Sequence, residues 1–371
     1  MKILVLFTFD YSLKSWNDSG TLSRELSIYK ELNKKNNATF VFLTYGDSID
    51  HTFNLSSQGF EVIPIYEEFK KSNYKVINYI KSFYVPFYYK KRLMHVDLIK
   101  QNQLLGSWTA VLFKFLLNKP LFIRTGYDMY NFSVLDKKSK LLQTMYKLLT
   151  KFSLYFANLY SVTSESDLVF LKKHFKKTSK VIKRSNWVID CKYKPFESRY
   201  SNKILAIGRL EYQKNFEVLI EAFSNSGFEI DLIGSGSLKP KLKNVSDRLN
   251  CKINFLDNMN FEDLHKLMSS YKYFITTSIF EGNPKSLLDA MSSGCVCYAS
   301  NISNHAELIS HDINGYLFDN NQIKLKEVFY SNLNNQKYLK EISKNTYKQV
   351  NITNSLTTLA NNEFEDYKSL I

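Results

Sequence analysis

The sequence predicts an α/β protein built as two Rossmann-like domains facing across a cleft. Three observations carry that expectation. At 371 residues the chain is too long for one ordinary core and well matched to two. Strand-like and helix-like segments alternate along it, the order of parallel α/β units. The alternation then breaks at a polar stretch around Pro195 and starts again beyond it.

Residues 2–9 (KILVLFTF) are short, continuously apolar and rich in β-formers, which predicts a buried strand. A polar loop reaches Gly20 and Thr21, and LSRELSIYKEL then carries apolar residues at helical spacing. ATFVFLTYG is the next strand. VDLIKQNQ, WTAVLFKFLLN and KPLFIRTGYD repeat the strand–helix–strand order, as do LYSVTSES and DLVFLKKHF. The second half opens on NKILAIGRL, FEVLIEAFSNS and FEIDLIGSGS. It continues through KINFLDNM, FEDLHKLMSSY, KYFITTS, SLLDAMSSG, CVCYAS and HAELIS. The expected domains are 1–190 and 203–353, joined by a linker at 191–202. A C-terminal helix at 354–371 is expected to cross back to the first domain.

Composition narrows the class. Apolar residues make up 44% and charged residues 23%, as in globular proteins, while 12 Gly and 6 Pro leave little for disordered linkers. The N-terminal apolar run turns polar at Asp10, which suits a first strand rather than a signal peptide. No run of about 18 apolar residues predicts a membrane span. Four cysteines fit a reducing cytoplasm, and Cys295 and Cys297, a lone C-x-C, are expected to be ordinary strand residues. The six histidines have no metal-ligand spacing, and surface roles are expected for His305 and His311.

The net charge of +15 is unevenly placed. Residues 1–195 hold 31 Lys and Arg against 15 Asp and Glu, whereas residues 196–371 hold 19 against 20. The first half is therefore suited to an anionic partner or simply carries a solvated lysine-rich surface. Within it, 69–95 and 137–156 mix Lys with Tyr, Phe and Leu. Each is either a basic amphipathic stretch for an anionic membrane surface or a helix packed on its own domain.

Three motifs carry chemistry. GRLEYQKN (208–215) follows a strand and precedes a helix. Gly208 allows close backbone approach, and Arg209 and Lys214 place two cations where a diphosphate could sit. FEGNPKSLLDAMSSG (280–294) sets Glu281 after a strand, turns at Gly282, Asn283 and Pro284, and heads a helix with the amides of Lys285 and Ser286. Asp289 follows on that helix. Two carboxylates for hydroxyls and free amides for phosphate are the useful parts. IGSGS (233–237) adds Gly234 and Gly236 at the end of another strand of the same domain. No G-x-G-x-x-G follows the first strand and no GxxxxGK[ST] occurs, which argues against a dehydrogenase and a P-loop nucleotidase.

Together these motifs, in this order, resemble glycosyltransferase family 4. The resemblance is specific over about 203–318, with 304–309 (NHAELI) and 313–318 (INGYLF) similar to downstream segments. It implies the GT-B fold, a nucleotide-diphosphate sugar as donor, retention of anomeric configuration and no metal or other cofactor. It implies that Arg209 and Lys214 hold the donor diphosphate, that Glu281 contacts the donor sugar, and that Asp289 grips the ribose in place of a longer Glu. One glycine of a paired set remains at Gly20. Tyr127 and Asp128 stand where many members have His-Asp, and with Arg124 they are the expected acceptor contacts. A uridine donor and a glycan or lipid-linked acceptor follow from the same resemblance; the expected location is the cytoplasm, either free or on the inner face of the membrane, and no nucleic-acid partner is expected. The competing readings are a sugar-nucleotide epimerase of this fold and a non-enzymatic binding module.

Overall fold

A computed structural model describes residues 1–176 and 181–371. The residues fall into two compact units, Met1–Ser185 with Leu359–Ile371, and Asn186–Thr358.

The first unit holds a seven-stranded sheet. Its strands are β1 (Lys2–Leu6), β2 (Thr39–Thr44), β3 (Phe60–Pro64), β4 (Leu98–Asn102), β5 (Leu121–Arg124), β6 (Leu159–Val162) and β7 (Val181–Lys183). They lie in the order β3-β2-β1-β4-β5-β6-β7 and every pair is parallel. A parallel sheet is buried on both faces, so its strands read as unbroken apolar runs rather than as alternation. KILVL shows this, with Ile3, Leu4 and Val5 wholly buried.

The second unit repeats the design with six strands: β8 (Tyr200–Ile207), β9 (Glu229–Ile233), β10 (Ile253–Leu256), β11 (Tyr271–Thr276), β12 (Val296–Ser300) and β13 (Tyr316–Phe318). Their order is β10-β9-β8-β11-β12-β13, again all parallel. Successive residues feed opposite cores. Ile204, Ala206, Tyr273 and Ile275 join one cluster, while Leu205, Phe274, Cys295 and Cys297 join the other. Burying each large aliphatic side chain contributes roughly 1.5–3 kcal/mol. The two cysteines are core residues, and all four in the chain are free thiols.

The boundaries differ from the sequence reading, and 354–358 stays with the second unit, the chain returning to the first at Leu359. The second unit begins at Asn186, and 191–202 is packed into it rather than left as a linker. Phe196 belongs to its core, and the Arg199 guanidinium donates to the Gly294 carbonyl at 2.6 Å. Polar composition hid this, because one aromatic ring and one arginine anchor the segment.

The chain's last residues dock on the first unit. Lys100 on β4 is almost fully buried and pairs with Glu363, which also accepts from the Tyr367 hydroxyl. Arg184 grips the Asp366 carboxylate with two nitrogens at 2.6 and 2.7 Å. Burial alone would raise the Glu363 pKa, but Lys100 and Arg124 hold it below the usual carboxylate range. No helix among the described residues is long and apolar enough to cross a membrane.

Candidate active site of the second unit

In both sheets the two central strands, β1 and β4 or β8 and β11, continue toward opposite edges. Such a switch point leaves a crevice at the carboxyl ends of the central strands. In the second unit that places the segments after β8 and after β11 side by side. The first motif follows β8 and the glutamate motif follows β11.

The two segments are tied together by named contacts. The Ile279 N–H donates to the Gln213 carbonyl at 2.9 Å, and the Thr277 hydroxyl to the Lys214 carbonyl at 2.8 Å. The Gln213 amide donates to the Phe280 carbonyl at 2.8 Å and to Glu281 Oε2 at 3.3 Å. Lys214 Nζ donates to Glu281 Oε1, which also accepts from Ser278 Oγ at 2.7 Å. Arg209 reaches Gln213 Oε1 at 3.2 Å and is otherwise exposed. Arg209, Lys214 and Glu281 are thus brought into one cluster, with Gln213 bridging Arg209 and Glu281.

The electrostatics follow from burial. Desolvation pushes the Glu281 pKa upward, but the adjacent Lys214 charge and the two hydrogen bonds outweigh it, so the carboxyl is held below its usual range. Lys214 has three N–H donors, and one is committed to Glu281. The cluster therefore offers an exposed guanidinium, an ammonium with spare donors and an ionised carboxylate.

Several expected residues serve the scaffold. Gly208 lets the Lys214 stem pass, since a Cβ there would meet Lys214 Cε at 2.9 Å. A Cβ on Gly234 would lie 2.0 Å from the Gly208 carbonyl oxygen, and one on Gly236 2.4 Å from that of Leu210. The IGSGS loop is laid directly on the β8 turn, fastened by Leu210 N–H to the Ser235 carbonyl at 2.8 Å and by Ser237 to Glu211. Lys214 lies in a 3-10 turn, Tyr212–Lys214, and the helix starts only at Phe216 after a left-handed Asn215. The motif thus lies between a strand and a helix as expected, with the Lys214 turn and Asn215 preceding the helix.

After β11, Gly282 and Asn283 are buried. Asn283 Oδ1 accepts from the Asn186 N–H, and its carbonyl accepts from the Asn186 amide, both at 2.8 Å. Asn283 thus braces the start of the unit. Pro284 caps the helix Lys285–Ser292, which has no side-chain cap, so the first-turn amides around Lys285 and Ser286 head the helix beside Glu281. Asp289 lies on that helix and is 4% exposed.

His305 corrects the expectation of a surface role. It is wholly buried, its Nδ1 lies 2.8 Å from the Ser300 carbonyl, and Nε2 meets no partner among the described residues. Burial drives its pKa down to about 4, so the ring is neutral and Nδ1–H is the donor to Ser300. His311 is exposed, and its Nδ1 accepts from the Leu317 N–H at 3.0 Å. The burial of His305 was not legible in NHAELI, whereas Gln213 is a polar residue within the first motif and Ser278 stands just before the second.

The other candidates belong to the first unit. Gly20 ends a short helix with φ +70°. Arg124 donates to the carbonyls of Arg184 and Ser185 at 3.4 and 3.2 Å and lies near Glu363, so it braces the unit. Tyr127 is 38% exposed against Phe132. Asp128 caps the helix Met129–Leu135 through the Asn131 N–H at 2.7 Å, and burial raises its pKa to about 6.

Residues 193–349 match the family model described as glycosyl transferases group 1. CapH of Staphylococcus aureus, a capsular polysaccharide biosynthesis glycosyltransferase, is 28% identical over 248 residues, which is 62% of this chain and 67% of that one. An Escherichia coli α-1,3-galactosyltransferase that uses UDP-Gal and a diphosphoundecaprenol-linked acceptor is 31% identical over 127 residues, 32% of each chain. The chain spans 30% and 41% of two uncharacterised Methanocaldococcus jannaschii glycosyltransferases that it also matches. Anabaena HepE, solved with UDP, superposes over all of both chains with a TM-score of 0.76 at 16% identity. That likeness shows the two-domain α/β fold of the GT-B class.

Proposed function

We propose that this protein is a glycosyltransferase that takes a sugar from a nucleotide-diphosphate donor and passes it, with retention of configuration, to a glycan or lipid-linked acceptor in cell-surface polysaccharide or glycolipid synthesis. The observation that carries the reading is the Arg209–Gln213–Lys214–Glu281 cluster at the switch point of the second sheet. Two cations and a helix head suit a diphosphate, and an ionised carboxylate suits sugar hydroxyls. The UDP and UDP-glucose complexes of the HepE structures support a uridine donor, and the CapH match supports a polysaccharide product.

In the reaction, the acceptor oxygen forms its bond to the anomeric carbon while the bond from that carbon to the diphosphate oxygen breaks. The acceptor approaches the face that the diphosphate leaves, the electron pair of the broken bond remains on the diphosphate, and the departing diphosphate oxygen takes the acceptor's proton. Positive groups placed beforehand stabilise that growing charge. Arg209 and the spare donors of Lys214 do so, with the amides heading Lys285–Ser292. Glu281 orients both Lys214 and the sugar. Burial keeps the pair dry, which strengthens each of these interactions.

Thermal shift with a panel of nucleotide sugars, followed by turnover with the donor that binds, tests the reading. A donor should raise the melting temperature. If none does and none is consumed, the assignment fails. Conversion of the donor sugar with no acceptor present would instead identify an epimerase.

A further inference from the structure

The helix Lys140–Phe156 has two faces with apolar residues, and only one is packed. Thr150, Ser153 and Leu154 point inward, whereas Leu141, Met145, Leu148 and Tyr155 are 74, 57, 61 and 57% exposed. Their spacing places all four on one side of the helix. The stripe spans about 21 Å at 1.5 Å per residue. Contiguous exposed apolar surface of this kind marks an interaction site.

The stripe runs into a cavity of about 700 Å³. Phe152, Tyr155 and Phe156 from the helix and Phe175 from beyond the next helix form its walls. Lys147, Lys151, His174 and Lys176 also line it, and among the described residues no Asp or Glu does. A hydrocarbon-lined hole bordered by cations is complementary to an amphiphile with an anionic head. The length of the stripe beyond the hole favours a surface over a single small molecule, and the positive rim opposes self-association.

We propose that Lys140–Phe156 lies on an anionic phospholipid bilayer, with Leu141, Met145 and Leu148 in the interface and one acyl chain in the cavity. Lys147 and Lys151 meet the lipid phosphate. Interfacial helices are held in this way, by buried apolar area plus attraction to anionic lipid. This places the membrane contact expected from the basic first half on a specific helix, and it does not depend on the donor site of the second unit.

The test uses the full chain and sedimentation with two vesicle types, phosphatidylcholine alone and phosphatidylcholine with phosphatidylglycerol. Binding should need phosphatidylglycerol and weaken as salt rises. Leu148→Glu, and separately Lys147→Glu with Lys151→Glu, should each lower partitioning more than about tenfold. Both variants should keep the wild-type melting temperature and nucleotide-sugar binding. For the cavity, Phe152→Trp should be quenched by phospholipid brominated along its acyl chain, and Leu148→Trp serves if that variant misfolds. Equal binding to both vesicles, or full binding by the lysine variant, would overturn the proposal. So would loss on Ile80→Glu in the helix Lys75–Leu93 with none on Leu148→Glu. Absence of quenching in vesicle-bound protein would remove the acyl chain from the cavity.

Discussion

Gly234 sits so close to Gly208 that a Cβ on it would fall 2.0 Å from the Gly208 carbonyl oxygen. Its φ of +152° is also one that L side chains rarely adopt. The two turns that follow β8 and β9 are therefore in backbone contact, and the β8 turn carries Arg209 and Lys214. Gly234→Ala should cost about 1–3 kcal/mol through strain and displacement. For a unit spanning Asn186–Thr358 each kcal/mol lowers the melting temperature by about 2–4 °C, so the fall is roughly 2–12 °C. It should also weaken donor binding, because the cations ride on the displaced turn. Calorimetry with donor titration checks both, and an unchanged melting temperature would show that the contact yields freely.

Acid should act on the two units in opposite directions. His305 binds its proton only near pH 4 when folded, against an ordinary value of 6.5. Between those values the unfolded chain holds the extra proton, so the second unit loses stability as pH falls, on the order of 3 kcal/mol in total. Asp128 and Asp167 are raised by burial to about 6 from 3.8. The folded first unit keeps those protons longer, so it gains stability over pH 6 to 4. His305→Asn should reduce the acid loss of the second unit, leaving the part owed to the depressed Glu281 carboxyl, and Asp128→Asn, which still caps a helix, should reduce the gain of the first. Parallel pH profiles for both units in the wild type would contradict the sign assigned to either group.

Much of this was legible because parallel strands are buried on both faces and so announce themselves as apolar runs. Arg209, Lys214 and Glu281 were legible because chemistry in such sheets gathers at the carboxyl ends of strands, where motif and topology coincide. Roles set by distant partners were not. Asn283 looks like a ligand residue in its motif, yet its partner is Asn186, 97 positions away. Arg124 is likewise claimed by the carbonyls of 184 and 185. His305 lies in a stretch with no periodicity, and only the packing around β12 buries it. The strands Phe60–Pro64 and Val181–Lys183 escaped notice because they are edge strands of only 5 and 3 residues.

Asp289 tests the ribose assignment. It is almost fully buried on the helix behind Glu281, so a substitution of equal size is the informative one. If the carboxylate accepts the ribose hydroxyls, Asp289→Asn should raise the donor KM about tenfold or more, the loss of a charge-assisted bond. Turnover at saturation should change little, since the ribose lies away from the breaking bond. An unchanged KM would assign Asp289 to the packing of its helix alone.

Arg209 and Lys214 decide the chemistry. If they neutralise the leaving diphosphate, they stand where other enzymes use a divalent cation held by an acidic D-x-D, and no such triplet occurs in the chain. Charge on the diphosphate grows toward the transition state, so each cation should matter more for turnover than for donor affinity. Arg209→Ala should lower kcat about 10²–10³-fold, the cost of removing one donor from an oxyanion site. Lys214→Ala should cost at least as much, because it also leaves Glu281 buried without its counter-charge. Lys214→Ala with Glu281→Gln removes that stranded charge and should recover stability but not turnover. Activity in the wild type should survive chelation. Near-wild-type turnover in either single variant would defeat the mechanism, as would loss of activity with chelator and its rescue by manganese.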